Sequence, residues 1–234
     1  MILKRNNGLN IQQIREDLAQ VPGLTQQPKY QELEQLLTYY FECTQAADAT
    51  GTRLEILDAD YQFRYAHNPI HHMEQRIKDV SSLIEKLTRK QVPFTYEAVK
   101  NEIFDIAGIR VVTNYRSDVE VVANALLAHK DVELLHKRDY IAEPKESGYR
   151  SLHLVLLVPF YETDGQKKAP VEVQIRTIGM DMWASLEHKL RYKSKTSPAI
   201  MAQYSAQLTH YADEIEQIER GMETLSHALN GFEA

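Results

Sequence analysis

The stretch with the clearest pattern in this sequence is Val171-Glu172-Val173-Gln174-Ile175-Arg176. Its apolar and polar residues alternate strictly, so on a β-strand the three apolar side chains would share one face and the three polar side chains the other. The apolar face predicts a sheet packed on a core. The polar face fits either a solvent-exposed sheet surface or the wall of a cleft, and the alternation does not decide between them. In a cleft, Glu172 could bind a divalent metal or accept a proton.

Helix and strand patterns continue on both sides of this stretch. Apolar spacing predicts helices over about 10–48, 80–90, 96–104, 117–129, 177–192 and 199–229, and strands over 109–113, 132–136 and 151–158. Alternation around Asp58-Ala59-Asp60 predicts a hairpin over 53–65. Ser117 and Thr177 are predicted to cap the helices that follow them.

The order of these elements predicts an α/β fold of the α+β kind, a mixed central β-sheet covered by helices. The predicted divisions are an N-terminal helical extension at 1–52, a central domain at 53–195 and a C-terminal helix at 196–234. We expect the least order in 144–149 and 162–170, which are rich in charged and turn-forming residues.

Composition limits the class of protein. The 234 residues are 43% hydrophobic and 26% charged, as in soluble globular proteins. Cys43 is the sole cysteine, which excludes an intramolecular disulfide and a CxxC metal site and fits a reducing compartment. Neither an apolar N-terminal signal nor a run of 18 apolar residues occurs, so we expect no membrane association and a cytoplasmic location.

Charge and glycine content indicate the kind of ligand. The net charge of −6 weighs against non-specific nucleic-acid binding, so no stable nucleic-acid partner is expected. A small anion needs only a local cluster of cations. Among only 9 glycines, neither GxxxxGK[ST] nor GxGxxG occurs. Cationic side chains would therefore have to hold any phosphate.

One candidate cluster is the stripe of Lys78, Ser82 and Lys86, which recur every four residues and would share a helical face. Like charges along a stripe repel unless an anion lies over them, so phosphate is one interpretation and a solvated basic face is the other. Asp105 and Arg110 flank the start of the next predicted strand. Asp105 is either part of a site or a residue that ends a turn.

A second cluster of cations surrounds the turn at Gly148-Tyr149. It consists of Lys137, Arg138, Lys145 and Arg150. A tyrosine among cations suits a nucleotide, whose base would stack on the ring while its phosphates meet the charges. A solvent-exposed loop is the alternative.

Histidines supply weaker candidates. His188 lies seven residues after Asp181 and would share its helical face, but one such histidine is more typical of a structural hydrogen bond. His67, His71 and His72 cluster without the spacing of a known metal motif, so a metal site there is not expected.

Four motifs, taken in order, resemble the synthetase domain of the RelA/SpoT homologues. They are Arg76-x-Lys78-x-x-x-Ser82-x-x-x-Lys86, Asp105-Ile-Ala-Gly108-Ile-Arg110, Arg138-Asp-Tyr-Ile-Ala-x-Pro-Lys145-x-x-Gly148-Tyr149-Arg-Ser-Leu-His153 and Glu172-Val-Gln174-Ile-Arg176-Thr. The resemblance covers about 65–195, and the flanks look like those of the small alarmone synthetases. It implies a nucleotidyltransferase-like synthetase domain that transfers pyrophosphate from ATP to the 3′-hydroxyl of GDP or GTP. The products would be AMP and ppGpp or pppGpp.

The resemblance implies a role for each matching residue on the ATP side. Arg76 and Arg110 would sandwich the adenine. The ATP phosphates would be held by Lys78, Ser82 and Lys86. The catalytic carboxylates would be Asp105 and Glu172, which would bind Mg²⁺, and Glu172 would also activate the acceptor hydroxyl.

On the acceptor side, Tyr149 would stack on guanine. The other implied GDP- or GTP-binding residues are Arg138, Lys145, His153, Gln174, Asp181 and His188. Asp181 stands where some relatives carry asparagine, which is a departure from the pattern.

The sequence is also compatible with two other functions. Some relatives pyrophosphorylate the 3′-end of tRNA, against which the acidic chain argues mildly. A non-catalytic guanine-nucleotide-binding regulator is the other alternative, although such a protein would be expected to lose Asp105 or Glu172.

The C-terminal helix carries an apolar stripe with heptad spacing. Its members are Tyr204, Leu208, Tyr211, Ile215, Ile218, Met222, Leu225 and Leu229. Such a stripe must be buried, either by helices of the same chain or by another subunit. With the resemblance to small alarmone synthetases, it predicts a homotetramer.

Overall fold

Six strands and seven helices form the part of the chain that the computed structural model describes, residues 2–4, 11–20, 30–193 and 198–230. In chain order they are β1 (Ile2–Lys4), α1 (Ile11–Ala19), α2 (Tyr30–Arg64), β2 (Ile70–Ile77), α3 (Val80–Lys90), α4 (Tyr96–Glu102), β3 (Ala107–Thr113), α5 (Ser117–Leu127), β4 (Glu133–Asp139), β5 (Leu152–Glu162), β6 (Gly165–Thr177), α6 (Ile178–Lys193) and α7 (Pro198–Asn230). Within these residues, no helix has both the length and the apolar character needed to cross a membrane.

The strands form one mixed sheet in the order β1-β2-β3-β6-β5-β4. β1 runs parallel to β2, and β3 runs parallel to β6. The remaining neighbours are antiparallel. The predicted fold class, a mixed central sheet covered by helices, is confirmed.

The main core lies between α2 and the sheet. Alternating side chains of β5 and β6 face this core and are completely buried, namely Leu152, Leu154, Leu156, Val158, Val171, Val173 and Ile175. α2 packs across both strands and buries Tyr40 and Cys43 against them. Each aliphatic side chain buried in this way contributes roughly 1.5–3 kcal/mol. The apolar face predicted for 171–176 is therefore the core face.

The predicted hairpin over 53–65 is wrong, because α2 continues without interruption to Arg64. Leu54 and Leu57 follow the earlier apolar residues at helical spacing; Leu54 is completely buried and Leu57 packs against the core. An ion pair of 2.6 Å between Arg64 Nε and Asp60 Oδ1 joins the last turn. The predicted boundary between residues 52 and 53 falls inside this helix.

β2 has no counterpart in the sequence prediction. Its core face includes Met73 and the polar Gln75, whose buried amide donates to Asp48 Oδ1 of α2 at 2.9 Å. A register shift between Ile70 and His72 interrupts the strand further. A polar residue facing inwards and a bulge together hide the alternation that would reveal a strand. Arg76 therefore lies on a strand and not on the helix that carries Lys86.

Three local predictions have different outcomes. Thr177 caps α6, since its Oγ1 accepts from the Met180 amide at 3.2 Å. Ser117 does not cap α5, because its amide and hydroxyl both donate to Glu223 of α7. The segment 162–170 is a regular hairpin in which Glu162 of β5 pairs with Gly165 of β6.

α7 packs on α6 around Trp183, whose Nε1 donates to the Leu208 carbonyl at 2.9 Å. Of the predicted heptad stripe, only Leu208 and Ile215 pack against this cluster. The other six side chains are between 46% and 82% exposed in the single chain; they are Tyr204, Tyr211, Ile218, Met222, Leu225 and Leu229. Packing within the single chain therefore buries only a small part of the stripe.

Candidate active site

A pocket of about 470 Å³ opens on the sheet face opposite α2. Its floor is formed by β2, β3 and β6, and one wall by α6. The residues that line it are Glu74, Arg76, Gly108, Ile109, Arg110, Tyr149, Glu172, Gln174, Arg176, Ala184, Ser185, Glu187, His188 and Lys189. The polar face predicted for 171–176 thus lines a cleft.

Strand register brings the predicted site residues into one row. Glu74 pairs with Arg110, Arg110 with Gln174, Gln174 with His153, and His153 with Arg138. Paired residues point to the same face of a sheet. Five strands therefore present this row to one side, and it joins the predicted ATP residue Arg110 to three predicted acceptor residues.

Glu172 stands on the floor of the pocket beside Gly108, its register partner on β3. A Cβ at position 108 would lie 3.0 Å from the Glu172 carbonyl oxygen, closer than side chains normally approach. The glycine therefore leaves space around the glutamate that another residue would fill.

The Glu172 carboxylate is ionised. Its Oε1 lies 3.1 Å from His153 Nδ1, and its Oε2 accepts from Gln174 Nε2 at 2.7 Å. Burial raises the pKa of this carboxyl, but the hydrogen bonds from His153 and Gln174 and the charge of Arg76 outweigh burial and bring the pKa to about 2.

A closed ring of hydrogen bonds extends from Glu172. Tyr149 Oη lies 2.8 Å from His153 Nε2, and Arg176 Nη2 donates to Tyr149 Oη at 2.6 Å and to Gln174 Oε1 at 2.7 Å. Since Tyr149 accepts from Arg176, its own proton is free to point to His153, which leaves His153 Nδ1 to donate to Glu172. The ring fixes the orientation of all five side chains.

Arg176 is a site residue that the sequence analysis did not assign. It is 4% exposed and also approaches Asp181 Oδ1 through Nη1 at 3.3 Å. Its place on the polar face of the 171–176 stretch was the available signal. Glu74 was also missed, and no signal marked it because β2 itself was not recognised.

Asp105 lies between two lysines of the predicted phosphate stripe. Its Oδ2 is 3.0 Å from Lys78 Nζ, and its Oδ1 is 2.8 Å from Lys86 Nζ. Burial raises the pKa of Asp105, but the two ammonium groups outweigh burial and lower it, while the charge of Glu172 acts in the opposite direction. The anion that the stripe requires is thus supplied by Asp105.

Ser82, the third member of the stripe, belongs to the start of α3. Its amide donates to Asp79 Oδ1 at 2.8 Å and its hydroxyl to Asp79 Oδ2 at 2.9 Å, so Asp79 caps the helix. The stripe itself is only partly helical, because Lys78 precedes α3 and its amide donates to the Ile106 carbonyl at 2.7 Å.

Asp181 joins two arginines that line the pocket. Its Oδ1 lies 3.1 Å from Arg110 Nη1 and 3.3 Å from Arg176 Nη1. Arg110 Nη1 also lies 3.4 Å from Glu74 Oε2. Arg76 is exposed at the edge of the same pocket.

Lys145 and Arg150 were both predicted to surround Tyr149 at the turn 144–149. The structure brings Lys145 to the Tyr149 ring, but Arg150 points elsewhere. Lys145 Nζ lies 4.6 Å from the centre of the Tyr149 ring, and Arg176 Cζ lies 5.0 Å from it. Arg150 instead turns inwards and pairs with α7. Arg138 is exposed beside Tyr140, and Lys137 pairs with Glu120.

The histidines at 67, 71 and 72 are engaged with other side chains. His67 Nε2 lies 2.8 Å from Asp118 Oδ1, and His71 and His72 contact each other. Among the residues described, no group of three or more His, Cys, Asp and Glu side chains could hold a metal ion.

Asp105 and Glu172 nevertheless suit magnesium. Both carboxyls have lowered pKa values, and the charge of Glu172 reaches Asp105. Mg²⁺ in phosphoryl-transfer sites takes one or two carboxylates and completes its shell with substrate phosphates and water. A pair of carboxylates is therefore a sufficient protein contribution.

A family model described as "Region found in RelA / SpoT proteins" matches residues 75–197, just over half of the chain. The chain belongs to this family. All the pocket-lining residues except Glu74 lie inside the matched region.

Relatives that match over most of their own length include proteins described as GTP pyrophosphokinases or small alarmone synthetases. GTP pyrophosphokinase YwaC of Bacillus subtilis is 40% identical over 184 residues, which cover 77% of this chain and 86% of YwaC. YjbM of the same organism is 42% identical over 149 residues, 64% of this chain and 69% of YjbM. The crystal structure of small alarmone synthetase 1 from B. subtilis bound to its product pppGpp has a TM-score of 0.74 and 32% identity, and the match covers 84% of this chain and 99% of that one. The predicted resemblance is confirmed.

Proposed function

We propose that this chain is a (p)ppGpp synthetase that transfers pyrophosphate from ATP to the 3′-hydroxyl of GDP or GTP. The observation that carries the proposal is the position of Glu172. An ionised carboxylate stands between Arg76 and Arg110 on one side and Tyr149 on the other. Two nucleotides bound on these two sides would meet at this carboxylate.

The ATP side is formed mainly by cationic side chains, whose charge is opposite to that of the ATP phosphates. Arg76 and Arg110 offer planar guanidinium groups on which adenine can stack. Lys78 and Lys86 are close enough to one carboxylate to share it, so they are also close enough to share a phosphate group. Ser82, at the start of α3, completes this side.

The acceptor side is centred on Tyr149. A guanine base stacked on the Tyr149 ring would lie next to Lys145, because the Lys145 ammonium contacts that ring. Gln174 and His153 would position the ribose through their bonds to Glu172. Arg138, Asp181 and His188 border this side and are proposed to complete the guanine-nucleotide site.

In the proposed reaction, Glu172 accepts the proton of the 3′-hydroxyl. The oxygen forms a bond to the β-phosphorus of ATP, and the bond from that phosphorus to the oxygen shared with the α-phosphorus breaks. AMP leaves with the electron pair of that bond. A carboxylate with a pKa of about 2 is a weak base, so the cations around the phosphates must offset the developing charge. Loss of the His153 hydrogen bond when the acceptor binds would raise this pKa.

Magnesium is the proposed cofactor, held by Asp105 and Glu172. When bound, it supplies positive charge to the phosphate oxygens and so stabilises the transition state. Binding of a metal to Asp105 would free Lys78 and Lys86 for the ATP phosphates.

We propose further that the protein is a cytoplasmic homotetramer. Six apolar side chains of the α7 stripe are open in the single chain, and an exposed apolar surface of this size favours association. The unpaired, buried Cys43 fits a reducing compartment.

The deciding experiment mixes purified protein with labelled ATP, Mg²⁺ and GDP, GTP or GMP in turn. We expect AMP and a 3′-pyrophosphorylated guanine nucleotide, and neither product in excess EDTA. Release of ADP or free phosphate, or transfer only to the 3′-end of added tRNA, would contradict the proposal.

A further inference from the structure

The turn that carries Tyr149 rests directly on α7. We call residues 144–149 the acceptor loop. We infer that Arg150 is a positioning residue for the acceptor nucleotide, because it clamps the acceptor loop onto α7. The inference rests on the proposed function, since it concerns the guanine-nucleotide side of that site.

Arg150 connects the loop backbone to two carboxylates of α7. Its Nη1 donates to the Gly148 carbonyl at 3.2 Å, and its Nη2 lies 2.7 Å from Asp213 Oδ1 and 3.1 Å from Glu216 Oε2. The side chain is 9% exposed. A buried, multiply bonded guanidinium holds its partners more firmly than an exposed pair does. Arg150, which the sequence analysis grouped with possible phosphate-binding cations, therefore forms ion pairs within the protein instead.

Backbone contacts hold the same loop against α7. Gly148 has φ of +86°, and a Cβ there would lie 3.0 Å from both Thr209 Cα and Ala212 Cβ. Thr209 Oγ1 donates to the Glu146 carbonyl at 3.1 Å. No side chain fits at position 148 without moving the helix, so loop and helix share one packed surface.

These contacts also fix the position of Lys145 and Tyr149, the two residues that would contact guanine. The Tyr149 carbonyl accepts from the Lys145 amide at 3.2 Å, and the Lys145 carbonyl accepts from the Gly148 amide at 2.8 Å. The loop is thus a closed turn. Tyr149 also packs against Trp183 and Ala212. A loop released from α7 would lose the position of the Tyr149 ring and of the Lys145 ammonium together, whereas Lys78 and Lys86 would stay in place.

The chain provides a matched control in Arg116. Its Nη1 forms an ion pair with the same Glu216, on its other carboxylate oxygen, but Arg116 anchors the start of α5 and not the acceptor loop. Removing either arginine breaks one ion pair to the same residue of α7. Arg150→Met also breaks the ion pair to Asp213 and releases the Gly148 carbonyl, whereas Arg116→Met does neither.

The test compares steady-state kinetics of full-length Arg150→Met, Arg150→Lys and Arg116→Met with the unmodified protein. For Arg150→Met we expect the KM for GDP to rise about tenfold or more while the KM for ATP changes by less than about threefold. Arg150→Lys retains the charge and should recover part of the affinity for GDP. Arg116→Met should leave both KM values within about threefold. Hydrogen exchange should become faster in peptides spanning 144–150 in Arg150→Met alone.

Equal changes in the two KM values for Arg150→Met, or the same rise for Arg116→Met, would overturn the inference. If Arg150→Met does not fold, Asp213→Asn removes the half-exposed partner instead and should raise the KM for GDP by clearly more than about threefold, the range allowed for Arg116→Met; a smaller rise there is equally contradictory. Failure of the unmodified protein to make any 3′-pyrophosphorylated product would contradict the proposed function and is distinguishable from both results.

Discussion

Glu172 accepts two hydrogen bonds that a glutamine cannot accept in the same way. In Glu172→Gln one oxygen becomes an amide that donates, so it opposes either Gln174 Nε2 or His153 Nδ1. The base is also lost. We expect turnover to fall on the order of 10² or more, while calorimetric affinities for both nucleotides change only a few-fold. Glu133→Gln, an exposed change on β4, should retain normal turnover.

The pH dependence of stability gives this variant a second measurement. The folded pKa of about 2 lies below the ordinary value of 4.5. The ionised group therefore stabilises the fold, fully above about pH 5 and progressively less as the pH falls towards 2. Between about pH 6 and pH 3, urea denaturation should show a smaller loss of unfolding free energy in Glu172→Gln than in the unmodified protein. Equal losses would mean that Glu172 is not held as described.

At this scale the sequence analysis assigned six of the fourteen residues that line the pocket to the predicted site. Alternation placed Glu172, Gln174 and Arg176 on one face, but only register with β5 could reveal that His153 reaches Glu172. Arg150 shows the limit most clearly. The cations next to it in the sequence indicated a phosphate-binding role. Its partners Asp213 and Glu216, however, lie more than 60 residues away in the chain. Spacing along a sequence carries no information on such pairs.

At the scale of elements, Lys78, just before α3, and Lys86, within α3, both form ion pairs with Asp105. A metal at Asp105 and a phosphate at the lysines would each replace the same ion pairs, so binding of either ligand should favour binding of the other. In the unmodified protein, Mg²⁺ should therefore strengthen ATP binding beyond its effect in Asp105→Asn. In EDTA, Asp105→Asn should bind ATP at least as well as the unmodified protein.

Calorimetry of ATP with Mg²⁺ and with EDTA measures this coupling. Asp79→Asn is the matched control, since it changes the carboxylate that caps α3 through Ser82. An equal effect of Mg²⁺ on ATP affinity in Asp105→Asn and the control would remove Asp105 from the coupling.

Elements with one clear period were predicted, and those with mixed signals were not. α3, α6 and α7 show a single periodicity and were found in the correct places, whereas β6 was predicted only over 171–176 and begins at Gly165. The end of α2 was mistaken for a hairpin because its alternation also fits a helix, and the burial of Leu54 decides for the helix. β2 was missed because Gln75 faces the core. Tertiary contacts override local preference at these positions.

For the whole molecule, the open half of the α7 stripe sets the expected assembly. Ile218, Met222, Leu225 and Leu229 are each more than half exposed. Leu225→Glu places a charge in this surface and should shift a tetramer towards smaller species, because an unpaired charge is costly to bury. Light scattering at micromolar concentration measures the mass directly.

Thr224→Glu is the control for this change, since it adds the same charge one residue away and off the stripe. It should leave the oligomer intact. A 27.0 kDa species for the unmodified protein would contradict the proposed assembly, and equal dissociation of both variants would mean that net charge, not the stripe, controls it.

Cys43 gives the molecule a built-in chemical reporter. The only thiol of the chain lies completely buried between α2 and the sheet, and burial raises its pKa, so the reactive thiolate is suppressed. A thiol-labelling reagent can reach it only when the core opens. The rate of its modification, followed by mass spectrometry without any engineered label, therefore reads the frequency of core opening and whether bound nucleotides slow it.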